Sequence, residues 1–143
     1  MISKTLRLVV AALAIVGFFN VVIWANQRFN REEPEYVSAL PSPDGKYKAV
    51  LATWAGGGGI SPYCHERLTV VSAKASQEEM ISGDNMVFES ECMTGGSPSI
   101  TWEGNEALQV GLAVSEGQIE PSTIKLRRKD TSGRIAIGFE ILR

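Results

Sequence analysis

Tyr63, Cys64, His65 and Glu66 put a phenol, a thiol, an imidazole and a carboxylate into four consecutive positions, and the second cysteine of the chain is Cys92. Those types support three chemistries: a disulfide, a metal site, or a nucleophile with its base. An even pair of cysteines in a small exported domain forms a disulfide. Closing a loop of about 29 residues between Cys64 and Cys92 would stabilise the fold by roughly 3–4 kcal/mol in the chain-entropy view. A metal held by Cys64, His65 and Cys92 is the rival, but a structural zinc needs a fourth ligand at recognisable spacing. The disulfide is therefore the expectation, with no metal and no cofactor.

Nucleophilic catalysis finds little to work with. His65 is the single histidine of the chain, so Ser61 or Ser115 would have to converge on it. Ala113 to Gly117 reads A-V-S-E-G in place of the G-x-S-x-G elbow, which needs a strand, a tight turn and a helix. Ser122 to Lys125 spells S-x-x-K, yet it enters a strand where that motif starts a helix. No two carboxylates occupy contexts that would split their pKa values. Gly56, Gly57, Gly58 and Gly59 are not followed by G-K-[ST], so they form no phosphate loop. A hydrolase stays the least supported reading. What remains is recognition: Trp54, the four glycines, Tyr63, His65 and Glu66 would form a partner-binding loop between Gly56 and Glu66, since loops on rigid scaffolds carry most binding residues. The plainer alternative is that Cys64 staples a loop and His65 is an ordinary surface residue.

Charge is unevenly distributed. Lys4, Arg7, Arg28 and Arg31 make the first 31 residues basic, whereas residues 32–120 carry 14 acidic against 4 basic side chains. Lys125, Arg127, Arg128 and Lys129 then form a basic cluster. It is a candidate contact for an anionic lipid headgroup, cell-wall polymer or acidic protein. It also reads as the solvated face of a strand paired with acidic neighbours, which is the preferred interpretation. Nucleic acid is excluded as a partner, because an acidic body repels the phosphate backbone.

These groups need a framework to position them. The apolar run from Leu8 to Ala25, broken only by Asn20, would span roughly 27 Å as a helix, close to the roughly 30 Å bilayer core. Lys4 and Arg7 precede it, which predicts a cytoplasmic N-terminus and a periplasmic C-terminal domain at a bacterial inner membrane. A cleaved signal peptide is the alternative, although Ile23, Trp24 and Ala25 fit the small-residue cleavage pattern poorly. Asn20 could bond another helix in the bilayer and favour an oligomer. Residues 1–25 are thus an anchor, residues 26–35 a polar tether interrupted by Pro34, and residues 36–143 the domain.

Within that domain the pattern is of short strands. Tyr36 to Leu40 precedes the turn Pro41-Ser42-Pro43-Asp44-Gly45, and Lys46 to Trp54 alternates with neither face strongly polar, as a central strand would. Arg67 to Ala73 is the next strand, and Lys74 to Asn85 holds a loop or one helical turn. Met86, Phe88, Ser90 and Cys92 alternate against Val87, Glu89 and Glu91, which predicts a half-buried strand. Ser99 to Trp102 and Ala107 to Val114 flank Gly104-Asn105 as a hairpin. Thr123 to Arg128 and Arg134 to Leu142 form a last hairpin around 130–133. The expectation is an all-β domain, a small antiparallel meander sheet or sandwich of about seven strands, behind one transmembrane helix.

Ser42 to Tyr47, S-P-D-G-K-Y, resembles the blade signature of TolB-type periplasmic propellers, and Ile100-Thr101-Trp102 is similar to the tryptophan hairpin that often follows it. The pattern also resembles small bacterial envelope proteins with one such unit beside a membrane segment. The resemblance implies hairpins and core aromatics and carries over no active site, and the chain is too short for a ring of blades. Function is then expected from the class of membrane-anchored periplasmic domains that recognise and neutralise a protein, immunity- or inhibitor-like. The alternative is an accessory subunit of an inner-membrane or envelope assembly.

Overall fold

The first turn shows how the sequence writes this structure. Ser42 is buried, and its hydroxyl accepts from the Tyr47 backbone N–H at 3.0 Å and donates to Asp44 Oδ1 at 2.8 Å, while Gly45 takes φ +69°. Only glycine adopts that left-handed region without cost. Asp44 also accepts from the Lys46 N–H, and these bonds hold its carboxyl below the ordinary range. The reversal launches a pair of strands that the rest of the domain extends.

The computed structural model describes residues 13–22, 33–57, 59, 62–93, 95–113 and 124–142. The chain divides into two units, Met1–Glu33 and Pro34–Arg143. In the first, residues 13–22 are helical (α1) and their apolar side chains are exposed. No helix among the described residues is long and apolar enough to cross a membrane, and the ends of the expected 8–25 span lie outside them.

Among the described residues the second unit holds eight strands: β1 (Tyr36–Pro41), β2 (Tyr47–Gly56), β3 (Tyr63–Ser72), β4 (Met86–Glu91), β5 (Ser99–Trp102), β6 (Ala107–Ala113), β7 (Ile124–Leu126) and β8 (Ala136–Leu142). A short helix α2 (Gln77–Ile81), started by a Ser76–Glu79 capping box, and a 3₁₀ turn at Gly83–Asn85 lie between β3 and β4. Strands β1 to β4 form an antiparallel meander and β7 joins its β4 edge, giving one five-stranded sheet. The second sheet has the order β5-β6-β8.

Ala49, Leu68, Val70 and Phe88 of the first sheet meet Leu108, Val110, Leu112 and Ile137 of the second in one buried cluster. Fully burying each of the larger of these side chains contributes roughly 1.5–3 kcal/mol. Trp102 ties the sheets by a polar contact as well, its indole N–H donating to the Leu40 carbonyl at 3.1 Å. The outer face of the first sheet is covered by the α2 segment, where the Ile81 carbonyl accepts from Arg67 and that of Met80 from Thr69.

Three expectations need correcting. Val87 points inward and is fully buried: the β3–β4 register slips between Leu68 and Thr69, so Val87 is an extra, bulged residue outside the alternation. The last pair does not stay a hairpin. The turn at 130–133 forms, with Gly133 at φ +73° and an isolated bridge between Lys129 and Ala136, but β7 then follows β4 while β8 crosses to the other sheet. There β8 runs parallel to β6, so the sheet is not purely antiparallel. Burial of Ile135 and Ile137 between the sheets draws that strand away from β7.

Candidate functional site

The expected loop from Gly56 to Glu66 is strand at both of its ends. β2 continues to Gly56 and β3 begins at Tyr63, with Gly56 opposite Tyr63, Ala55 opposite Cys64, Trp54 opposite His65 and Thr53 opposite Glu66. Cross-strand partners point to one side, so this register sorts the candidate residues onto two faces. Tyr63, His65 and Arg67 share the outer face with Gly56, Trp54 and Ala52; Cys64 and Glu66 face inward.

On the outer face the flat groups stack. His65 lies parallel to Trp54, ring centroids 4.6 Å apart with 3° between planes, and the Arg67 guanidinium carbon is 5.1 Å from the Trp54 ring. Tyr63 lies over Gly56, where a Cβ would come within 2.8 Å of the phenol oxygen. Glycine is needed there because the ring occupies the space a side chain would take. Trp54 is 6% exposed and Tyr63 43%, so the indole supports this surface from beneath and the phenol is its outermost part.

Arg67 continues the ladder into an ionic row. Its Nε donates to Glu89 Oε2 at 2.6 Å, and Lys125 Nζ donates to Glu89 Oε1 at 2.7 Å. Burial by itself would raise the Glu89 pKa, but the bonds from Lys125 and Arg67 and their charges outweigh it, so the group is held below its ordinary value.

On the inner face Cys64 and Cys92 are bonded, with Cα atoms 5.3 Å apart, and the Cys92 N–H donates to the Cys64 carbonyl at 3.1 Å. The disulfide consumes both thiolates that the metal alternative required. Glu66, two residues further along β3, is 2% exposed. The Ser97 hydroxyl donates to its Oε1, and its Oε2 has no hydrogen-bond partner among the described residues. Glu66 is therefore buried in the base of the tip and does not belong to its contact surface.

Gly57 takes φ +82° and Gly59 stands in open space. Gly58, Ser61, Ser115 and Ser122 lie outside the described residues. Of the basic cluster, Lys125 is paired to Glu89, Arg127 donates to the Asp84 carbonyl at 3.0 Å, and Arg128 and Lys129 are exposed beside the 130–133 turn. Asn20 donates to the Val16 carbonyl of its own helix at 2.8 Å. Arg67, Glu89 and Ser97 were not singled out from the sequence. Beginning β3 at Tyr63 would have put Tyr63, His65 and Arg67 on one face by the period of two.

Fold and site together define a two-sheet β domain with a disulfide-stapled hairpin tip. No protein family, curated protein or solved structure matches this chain.

Proposed function

We propose that this chain is a membrane-tethered domain on the periplasmic side of a bacterial inner membrane, and that its β2–β3 tip recognises and neutralises a protein partner. The observation that carries the reading is the outer-face ladder Tyr63, His65 and Arg67, built on paired strands and stapled from behind by the disulfide between Cys64 and Cys92. A surface ordered before binding loses little entropy on association. Tyrosine, tryptophan and arginine are also the residues that dominate interface energetics. Several further features support the setting. Disulfides persist in oxidising compartments. The exposed apolar side chains of α1, preceded in the sequence by Lys4 and Arg7, suit a lipid anchor with a cytoplasmic start. The acidic middle of the chain would speed the approach of a basic partner.

The test is photocrosslinking in intact cells from a benzoylphenylalanine placed at Tyr63 in the full chain, followed by binding measurements with the captured protein after purification. Tyr63→Ala is expected to weaken that binding about thirtyfold, as loss of a residue worth about 2 kcal/mol does. Capture of nothing, or binding untouched by Tyr63→Ala, would overturn the reading.

A further inference from the structure

At the other end of the same hairpin, roughly 26 Å along the strands from the disulfide, Tyr47 pairs with Ser72 and a second concave site opens. The cleft has a volume of about 500 Å3 and is walled by the ends of β2 and β3, the α2 segment and the 130–134 turn. That volume falls within the roughly 300–1,000 Å3 of small-molecule sites. Its walls are tied together before any ligand arrives. Thr131 Oγ1 donates to the Asp84 carbonyl at 3.2 Å and Asn85 Nδ2 to the Glu79 carbonyl at 3.0 Å. Asp130, itself buried, accepts from the Ile135 and Ser132 N–H groups at 2.8 and 3.1 Å and fixes the turn.

The lining groups divide by chemistry. Val70 and Val71, successive on β3 and turned to opposite faces, make the β3 wall of the cleft apolar, and Asp130 already accepts bonds from its own turn. Arg134 and Tyr47 also line the cleft, and neither the guanidinium nor the phenol hydroxyl has a hydrogen-bond partner among the described residues. Two unused donors, one cationic, fit a carboxylate. Glu79 brings the opposite charge: bonds from the Ser76 backbone and hydroxyl hold its carboxyl below the ordinary range, and both reach Oε2, leaving Oε1 open. A site with a free cation, a carboxylate and an apolar wall selects a molecule carrying both charges around an apolar side chain.

We infer that this cleft binds an amino acid or short peptide with free ends, its carboxylate on Arg134 and Tyr47, its ammonium on Glu79 and its apolar side chain along the β3 wall at Val70–Val71. The site is separate from the hairpin tip and stands whether or not the tip binds a protein.

Isothermal titration of the full chain in detergent micelles with the dipeptide alanyl-leucine tests it. Saturable binding at one site is expected. Arg134→Gln, and alanyl-leucine amide in place of the free acid, should each weaken it about tenfold or more, and N-acetylation should weaken it for want of the ammonium. Tyr47→Phe, which removes only the hydroxyl, should give a smaller loss and keep the ring in the core. Leucine tried alongside separates the two sources: equal affinity assigns the site to free amino acids, tighter dipeptide binding to peptides. Failure of both ligands to saturate at millimolar concentration, or binding that Arg134→Gln leaves unchanged, would overturn the proposal.

Discussion

On the outer face of β3, Arg67 places its guanidinium on Glu89, on the Ile81 carbonyl and beside the Trp54 ring. One residue earlier, on the inner face, Glu66 receives a single hydroxyl and leaves Oε2 unbonded among the described residues. The same strand thus carries an ionic group whose bonds are made and a buried carboxyl with one oxygen left unbonded among the described residues. The outer face is bordered by β4, β7 and the α2 segment, each of which offers a polar group. On the inner face Glu66 stands between Thr53 and Ser90, with the apolar Leu68 and Phe88 one step further along, and only the Ser97 hydroxyl bonds it among the described residues. Adjacent residues of one strand meet different neighbours, and the neighbours decide whether a charge stabilises or costs.

The comparison can be broken most forcefully at the inner face. Phe88 is fully buried in the cluster that joins the sheets. Phe88→Ala should lower unfolding stability by about 3–5 kcal/mol, measured by denaturant titration; a loss below about 1 kcal/mol would mean that the sheets do not share this core.

The ionic row should give a smaller effect of known pH sign. The folded-state pKa of Glu89 lies below its unfolded value. Its contribution is therefore complete above the ordinary carboxylate range and is lost as pH falls through the lowered folded value. Glu89→Gln should reduce stability at neutral pH by about 1–2 kcal/mol, below the roughly 1.5–3 kcal/mol of a shielded bond to a charged group because the Lys125 partner is exposed to water, and flatten the acid limb of the stability profile. Urea melts from neutral to acid pH read both, and an acid limb as steep in the variant as in the wild type would refute the assignment.

The smallest expected change has the opposite sign. Glu66→Met removes the unmet oxygen and fills similar space, leaving the exposed Ser97 hydroxyl to water. Stability should rise by about 1 kcal/mol. A fall of that size would show that Glu66 has a bonding partner in solution, and the two faces would then be alike.

Much of this was written locally. Pro41 to Gly45 makes the turn expected of it, Gly104 takes φ +108° between β5 and β6, and Cys64 meets Cys92. Each depends on residues close in sequence or on a single pairing of two cysteines. The α2 segment, read as a loop or one helical turn, carries Ser76 and Glu79 at capping-box spacing. The tip was legible in its residue types and misread in its form. The glycines suggested a loop, and pairing with β2 and β4 extended β3 back to Tyr63. That shift placed Cys64 and Glu66 inside and aligned Tyr63, His65 and Arg67 outside.

By itself the sequence determined the β character of the domain, its turns, its cysteine pair and its charge asymmetry, because backbone preference, spacing and composition act over short range. Tertiary structure alone decided that Val87 turns inward, that β8 runs parallel to β6, and that Arg134 and Tyr47 line one cleft. Those outcomes depend on which distant surfaces exclude water together, and no local pattern encodes that choice.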